Sequence, residues 1–297
     1  MTRRALLLAA ALFGGAVEAE PALVALILDP DVAEISGMAH SQRRDDLLWV
    51  VNDSHNPNRI HALGRDGRVD AAFTVEGAPN TDWEDLASFV LDGKPYLAIA
   101  DTGDNGGVRS WIEIIVVEEP RVRDGGFRGS VRPAWRMRIR WPDGPRDCEA
   151  VAIDTARREV LLMSKKRVPA QLFRVPLQAT RGRRALLAAQ IGVAGTIPQP
   201  DRRELAAHPQ SGRYRAHVTS MAMPPDSSAL VVLTYRDAYR YDRRGNESWA
   251  DVLRRPPVVL GLPPLIQAES ITFDRRGEAL YVTSEKLPAP LVRLDPR

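Results

Sequence analysis

The chain is poor in the residues on which several common architectures depend. It has one cysteine, Cys148, among 297 residues, so no internal disulfide can form and no cysteine-based zinc module can be built. Cys148 lies within an apolar stretch, which assigns it to packing rather than to nucleophilic chemistry. No Gly-x-Ser-x-Gly nucleophile turn and no phosphate loop ending in Gly-Lys-Ser/Thr occurs. Long apolar runs are missing too. The longest, Ala5 to Val17, falls short of the ~20 apolar residues that a membrane span requires. It follows the basic start Met1-Thr2-Arg3-Arg4 and ends in Val17-Glu18-Ala19. That layout predicts a secretory signal peptide over 1–19, a mature domain over 20–297, and a periplasmic or secreted destination without a stable membrane span. An excess of one charge is also absent, with 41 basic against 38 acidic residues. The basic groups come as scattered pairs such as Arg157-Arg158 and Arg275-Arg276, and no RNA-binding aromatic motif accompanies them, so nucleic acid is not an expected partner. Without disulfides the fold depends on a buried core, which a chain of this length can supply as a monomer.

What the sequence does contain is a repeat. One short pattern returns five times: Glu34-Ile-Ser-Gly-Met-Ala, Glu84-Asp-Leu-Ala-Ser-Phe, Glu149-Ala-Val-Ala-Ile-Asp, Thr219-Ser-Met-Ala-Met-Pro and Glu269-Ser-Ile-Thr-Phe-Asp. Each opens with an oxygen-bearing side chain and continues with small and apolar residues, much of it in the period-two alternation of a β-strand. A polar turn and a second strand follow each time, at Leu47–Val51, Pro95–Ala100, Val160–Met163, Ala229–Leu233 and Ala279–Thr283. Third strands are expected at Arg59–Leu63, Ile112–Val117, Gln171–Val175, Ala238–Tyr241 and Leu291–Leu294. Helical turns are expected only at Ala185–Gln190 and around Ser248–Leu253. The pattern starts lie 50, 65, 70 and 50 residues apart, intervals that suit four-stranded blades with variable loops. The fold class is therefore all-β, a β-propeller of five blades, with a sixth hidden in Gln178–Arg215 as the alternative. The strand Ala22–Leu28 has no blade of its own and is expected to pair with the last blade and close the ring.

First strands line a propeller's channel, so equivalent positions form rings about the axis. Setting Glu34, Glu84, Glu149, Thr219 and Glu269 in register gathers four carboxylates and a hydroxyl there. Such a set must take up protons or bind a cation. Oxygen ligands without histidine or cysteine favour calcium, with magnesium or manganese next. Ser36, Asp85 and Ser220 can add further oxygens. The loops after the second strands fall on the same face. They carry Asn52, Asp53 and His55, then Asp101, Asp104 and Arg109, then Lys165, Lys166 and Arg167, then Tyr235 and Arg236, and finally Lys286. His217 and Trp83 lead into first strands on that face.

The glutamate-led series broken by Thr219-Ser220 resembles the blade starts of the calcium-dependent nucleotidases called apyrases. Those are five-bladed propellers with an axial calcium that hydrolyse nucleoside di- and triphosphates. The resemblance implies Glu34, Ser36, Glu84, Glu149, Thr219 or Ser220, and Glu269 as metal ligands, and it extends no further than the blade starts. More loosely, Glu34-Ile-Ser-Gly and Asp82-Trp-Glu-Asp-Leu-Ala followed by Asp101-Thr-Gly-Asp-Asn are similar to bacterial propellers described as esterase-like or phytase-like. The leading expectation is a metal-dependent hydrolase of a small anionic, phosphorylated substrate. In that reading Asp101 or Asp104 serves as general base and Arg109 stabilises developing charge. Asn52, Asp53, Lys165, Lys166, Arg167, Arg236 and Lys286 hold the substrate. The alternatives are a non-catalytic binding propeller with a structural axial metal, and a lactonase or other esterase using Asn52 and Asp53 beside Glu34.

Overall fold

Alternating small and branched residues build strands through nearly the whole chain, and the strands gather into five sheets. The computed structural model describes residues 21–123, 127–182 and 184–296. The expected signal peptide lies outside the described residues. Among them, no helix is long and apolar enough to cross a membrane.

Blade 1 runs outward from the axis through Ile35–His40, Leu47–Asn52, Arg59–Gly64 and Val69–Val75. Blade 2 follows with Trp83–Leu91, Lys94–Asp101, Ile112–Glu118 and Pro133–Arg140. Blade 3 has Cys148–Asp154, Glu159–Ser164, Gln171–Pro176 and Ala189–Val193. Blade 4 has Val218–Ala222, Ala229–Thr234, Ala238–Asp242 and Val258–Leu260. Blade 5 has Ala268–Phe273, Leu280–Ser284 and Ala289–Leu294, and the N-terminal strand Ala22–Ile27 is its outermost, antiparallel to Ala289–Leu294. Each first strand touches the first strands of the blades on either side, and that of blade 5 touches that of blade 1. The arrangement is a five-bladed propeller.

The five blades are those the repeat predicts, and the differences lie in the connections. Among its described residues, Gln178–Arg215 holds no sixth blade. Its strands complete two others: Leu186–Leu187 pairs in parallel with blade 2, and Ala189–Val193 is the fourth strand of blade 3. Ala185–Gln190 is therefore not helical; the hydrogen-bonding edge of Gln171–Pro176 outweighs the helix propensity of an Ala/Leu-rich stretch. A helix lies instead at Arg202–Ala207, where the Asp201 side chain accepts from the Glu204 amide. The expected turn near Ser248 is present as a helix over Trp249–Val252. The long interval after blade 2's third strand carries Phe127–Val131 back to blade 1 as a fifth, parallel strand.

Because strand residues alternate faces, each blade offers one apolar face to each neighbour. Five buried clusters result, one per blade interface. Cys148 is buried in the cluster between blades 2 and 3, and burial pushes its thiol pKa up, in keeping with a packing role. The interface that closes the ring is as apolar as the rest. There Ile27, Ala289 and Leu291 of blade 5 meet Ile35, Met38, Val50 and Leu63 of blade 1. Leu291 is fully buried. Leu291→Ala should therefore cost about 2–5 kcal/mol in chemical denaturation. A loss below about 1 kcal/mol would show that this interface does not carry the packing described.

Candidate functional site at the axial mouth

The register between first and second strands slips once in every blade, at the same place. The pairing skips Ser36, Glu84, Glu149, Thr219 and Glu269. A β-bulge leaves the extra residue unpaired and re-aims its side chain. These five are therefore the equivalent positions nearest the mouth. Glu34 is not among them, so setting it in register with the other glutamates places blade 1 two residues off. Glu34 is exposed and accepts a hydrogen bond of 2.6 Å from Asn56 Nδ2. Its counterparts are Asp82, Asp147, His217 and Gln267, each two residues before the bulge. The carbonyls of Glu34, Asp82, Asp147 and Gln267 accept from Asp53, Thr102, Lys165 and Glu285, the residues that follow the second strands. Tyr235 holds the matching position in blade 4. Three tiers thus face the mouth, and nearly all of its chemistry comes from them.

One step deeper lies the tier Gly37, Asp85, Ala150, Ser220 and Ser270. Asp85 is fully buried and accepts from four donors: Leu86 N at 2.9 Å, Val151 N at 2.8 Å, Ser220 Oγ at 3.0 Å and Met221 N at 3.3 Å. It ties blades 2, 3 and 4 together across the axis. Blade 1 reaches the same level only because Gly37 has no side chain; a Cβ there would sit 2.5 Å from the Asp85 carbonyl carbon. Ser220, expected as a possible metal ligand, is a donor to Asp85 instead.

The mouth tier divides by chemistry. Ser36 Oγ donates to Trp83 O at 2.7 Å, and Thr219 Oγ1 donates to Ala268 O at 2.7 Å. Thr102 does the same to Cys148 O at 2.6 Å. Each hydroxyl fastens its blade to the next, so Ser36 and Thr219 act as staples. The glutamates carry the charge. Lys165 Nζ forms an ion pair with Glu149 Oε2 and sits 5.1 Å over the Tyr235 ring. The Tyr235 hydroxyl donates to Glu269 Oε1 at 2.9 Å. Burial opposes the charge on Lys165, but Glu149 and Glu269 outweigh it and hold the ammonium above its ordinary pKa. Burial raises Glu84, aided by repulsion from Glu149, Asp53 and Asp82. Glu269 is raised by burial to about 7, with Lys165 and Tyr235 opposing, and Asp82 by burial and Asp53 to about 6.

The carboxyl oxygens of Asp53, Asp82 and Glu84 lie within 4.8 Å of one another, as do those of Glu84, Asp147 and Glu149. The second group is offset by two lysines, since Lys166 Nζ stands 3.1 Å from Asp147 Oδ2 and Lys165 pairs with Glu149. Beside it opens a cleft of about 670 Å³ lined by Lys165, Lys166, Tyr214, Arg215, His217 and Tyr235. Burial and the two lysines lower the pKa of His217, so its imidazole is neutral at neutral pH.

The remaining expected site residues fall differently. Asp101 accepts from Arg109 Nη1 at 2.9 Å and from Asp82 N at 3.2 Å. Asp104 accepts from the amides of Val108 at 2.8 Å and Arg109 at 3.0 Å. Arg109 also donates to Gly103 O at 2.8 Å. The three expected catalytic groups hold the loop together behind Asp82 and Glu84. Arg236 is engaged by Glu204, Asp237 and Tyr239. Asn52 donates to Asp31 O, and its Oδ1 is buried without a partner. Arg167 and Lys286 are exposed. Asp82 and Asp147 were not among the expected site residues; Asp82-Trp-Glu84 and Asp147-Cys-Glu149 repeat one spacing, which is their signal in the sequence.

A raised carboxyl pKa has a consequence for stability. Unfolded Glu269 titrates near its ordinary 4.5, whereas folded it titrates near 7, so between these values the folded state holds the extra proton. Raising the pH through that window should lower the melting temperature of the metal-free protein, and Glu269→Gln should flatten the decline. A melting temperature that climbs from pH 5 to pH 7 would contradict this electrostatic account.

No known family model matches the chain, and no curated protein does. Among solved structures, a Nidogen/Laminin complex aligns at 14% identity and a TM-score of 0.43, over 85% of this chain and 73% of that one. Hydrazine synthase from Kuenenia stuttgartiensis aligns at 13% identity and a TM-score of 0.42, over 96% and 99%. Likeness at this level carries no argument about activity. The propeller assignment rests on the sheet topology.

Proposed function

We propose that this protein is a hydrolase of a small anionic, phosphorylated substrate, working at the axial mouth with a divalent cation, calcium before magnesium or manganese. The observation that carries the reading is the meeting of Glu84, Glu149 and Glu269 in one ring beside a cleft edged by Lys165, Lys166 and Arg215. A cluster of raised carboxylates facing cationic side chains is a common composition for an acid–base site. Lys166 and Arg215 hold the anionic oxygens from the cleft wall. Glu269, titrating near neutrality and steadied by the Tyr235 hydroxyl, takes a proton from the attacking water. Lys165 pairs with Glu149, opposing the upward push of burial on that carboxyl, and balances charge that develops at the mouth. A bound cation would supply polarisation of a phosphoryl oxygen and acidification of a water.

One observation favours a second reading. The pairs Lys165–Glu149 and Lys166–Asp147 already balance part of the charge, as they would in a propeller that binds an anionic ligand without turning it over. Turnover of phosphomonoesters and nucleoside polyphosphates with calcium or with chelator separates the two. The hydrolase reading expects calcium-dependent turnover that falls ~100-fold in Glu269→Gln. Phosphate-ester binding by calorimetry with no turnover under either condition would replace it with the binding reading.

A further inference from the structure

We propose that the cation site is off the axis, between blades 1 and 2, formed by Asp53, Asp82 and Glu84, and that the ammonium of Lys165 occupies the place that a symmetric axial ion would take. The proposal deepens the function above and rests on it only for the premise that a divalent cation binds at this mouth.

The symmetric set suits an ion poorly. Of its five members, Ser36 and Thr219 offer only neutral hydroxyl oxygens, turned to fasten blades through the carbonyls of Trp83 and Ala268, while Glu149 is paired with Lys165 and Glu269 accepts from Tyr235. A dication at the centre would face a lysine already drawn there by Glu149 and Glu269. Only Glu84 is left.

Glu84 is 6% exposed, and among the described residues its carboxylate has no ion pair or hydrogen-bond donor, the Lys165 ammonium acting on it only from Glu149's side. A buried carboxylate in that position takes up a proton or is matched by a cation. Its oxygens lie within 4.8 Å of those of Asp53 and Asp82, both partly open to the mouth. Gly103 keeps the space they share. A Cβ at Gly103 would lie 2.2 Å from Glu84 Oε1 and 2.4 Å from Asp82 Oδ2. The turn that carries Gly103 is fixed by Arg109, Asp101 and Asp104, so its closeness to the two carboxylates is imposed by the loop. Three carboxylates, two of them partly open to the mouth, are ligands for a hard, oxygen-seeking ion, and calcium tolerates such an irregular shell best. The neighbouring group Glu84, Asp147 and Glu149 does not compete, because Lys165 and Lys166 already serve it.

The test is calcium titration calorimetry on the full chain, with melting curves as the check on folding. Asp82→Asn and Gly103→Ala should each weaken calcium binding roughly tenfold or more, while Glu269→Gln stays within about threefold of the parent. If Gly103→Ala does not fold, the more exposed Asp53→Asn takes its place with the same expectation. Loss of binding in Glu269→Gln with parental affinity in Asp82→Asn would overturn the off-axis site and leave the cation-dependent hydrolase standing. Absence of heat with calcium, magnesium and manganese in the parent protein would overturn both, and turnover in chelator would then show whether hydrolysis survives without an ion.

Discussion

Everything at the mouth follows from the repulsion of three buried glutamates that the ring geometry forces together. A propeller cannot spread its first strands apart, because each is packed against both neighbours. Acids at the bulge must therefore be compensated locally. Blade 3 supplies Lys165, blade 4 supplies Tyr235, and blades 1 and 4 replace the acid by hydroxyls that fasten adjacent blades. Blade 2 supplies nothing for Glu84 but Gly103 and Asp82, and blade 1 adds a further acid, Asp53. The asymmetry of compensation, rather than the symmetry of the ring, singles out one side of the mouth as the place where a cation and an anionic ligand would meet.

The tier below has the opposite character. Asp85 is as buried as any acid in the chain, yet four donors from three blades surround it, and no ligand could reach it without displacing them. Burial favours its neutral form and the donors favour its charge. Its place is structural: it seals the channel under the mouth and lets the upper tier be polar without exposing the core.

Much of the fold was legible because alternation and repeat spacing are properties of the chain. The second and third strands were placed in all five blades, and Ala22–Leu28 could be matched to the last one. The register of blade 1 was set two residues off: the lead glutamates of the other blades draw the pattern to Glu34, although the spacing of Asp82-Trp-Glu84 and Asp147-Cys-Glu149 fits Glu34-Ile-Ser36 and marks Ser36 as the bulge. Ala185–Gln190 read as helical on propensity, while the strand edge that claimed it is distant in sequence. The helix at Arg202–Ala207 carried a legible sign, Asp201 followed by Glu204, in the manner of a capping box. Among site residues, the lysines after blade 3 separated in a way that no pattern foretold: Lys165 turns inward to Glu149, Lys166 lines the cleft, and Arg167 stays outside. The acid loop Asp101 to Arg109 was expected to supply the general base, and its hydrogen bonds make it the frame for Gly103.

The central claim is that Glu84, Glu149 and Glu269 form one electrostatic unit. Carbon-13 labelling of glutamate side chains and titration of their carboxyl resonances, assigned by single Glu→Gln changes, tests it most directly. The account predicts that these three titrate above the ordinary glutamate range and that replacing any one shifts the other two. Three independent titrations near the ordinary value would contradict it.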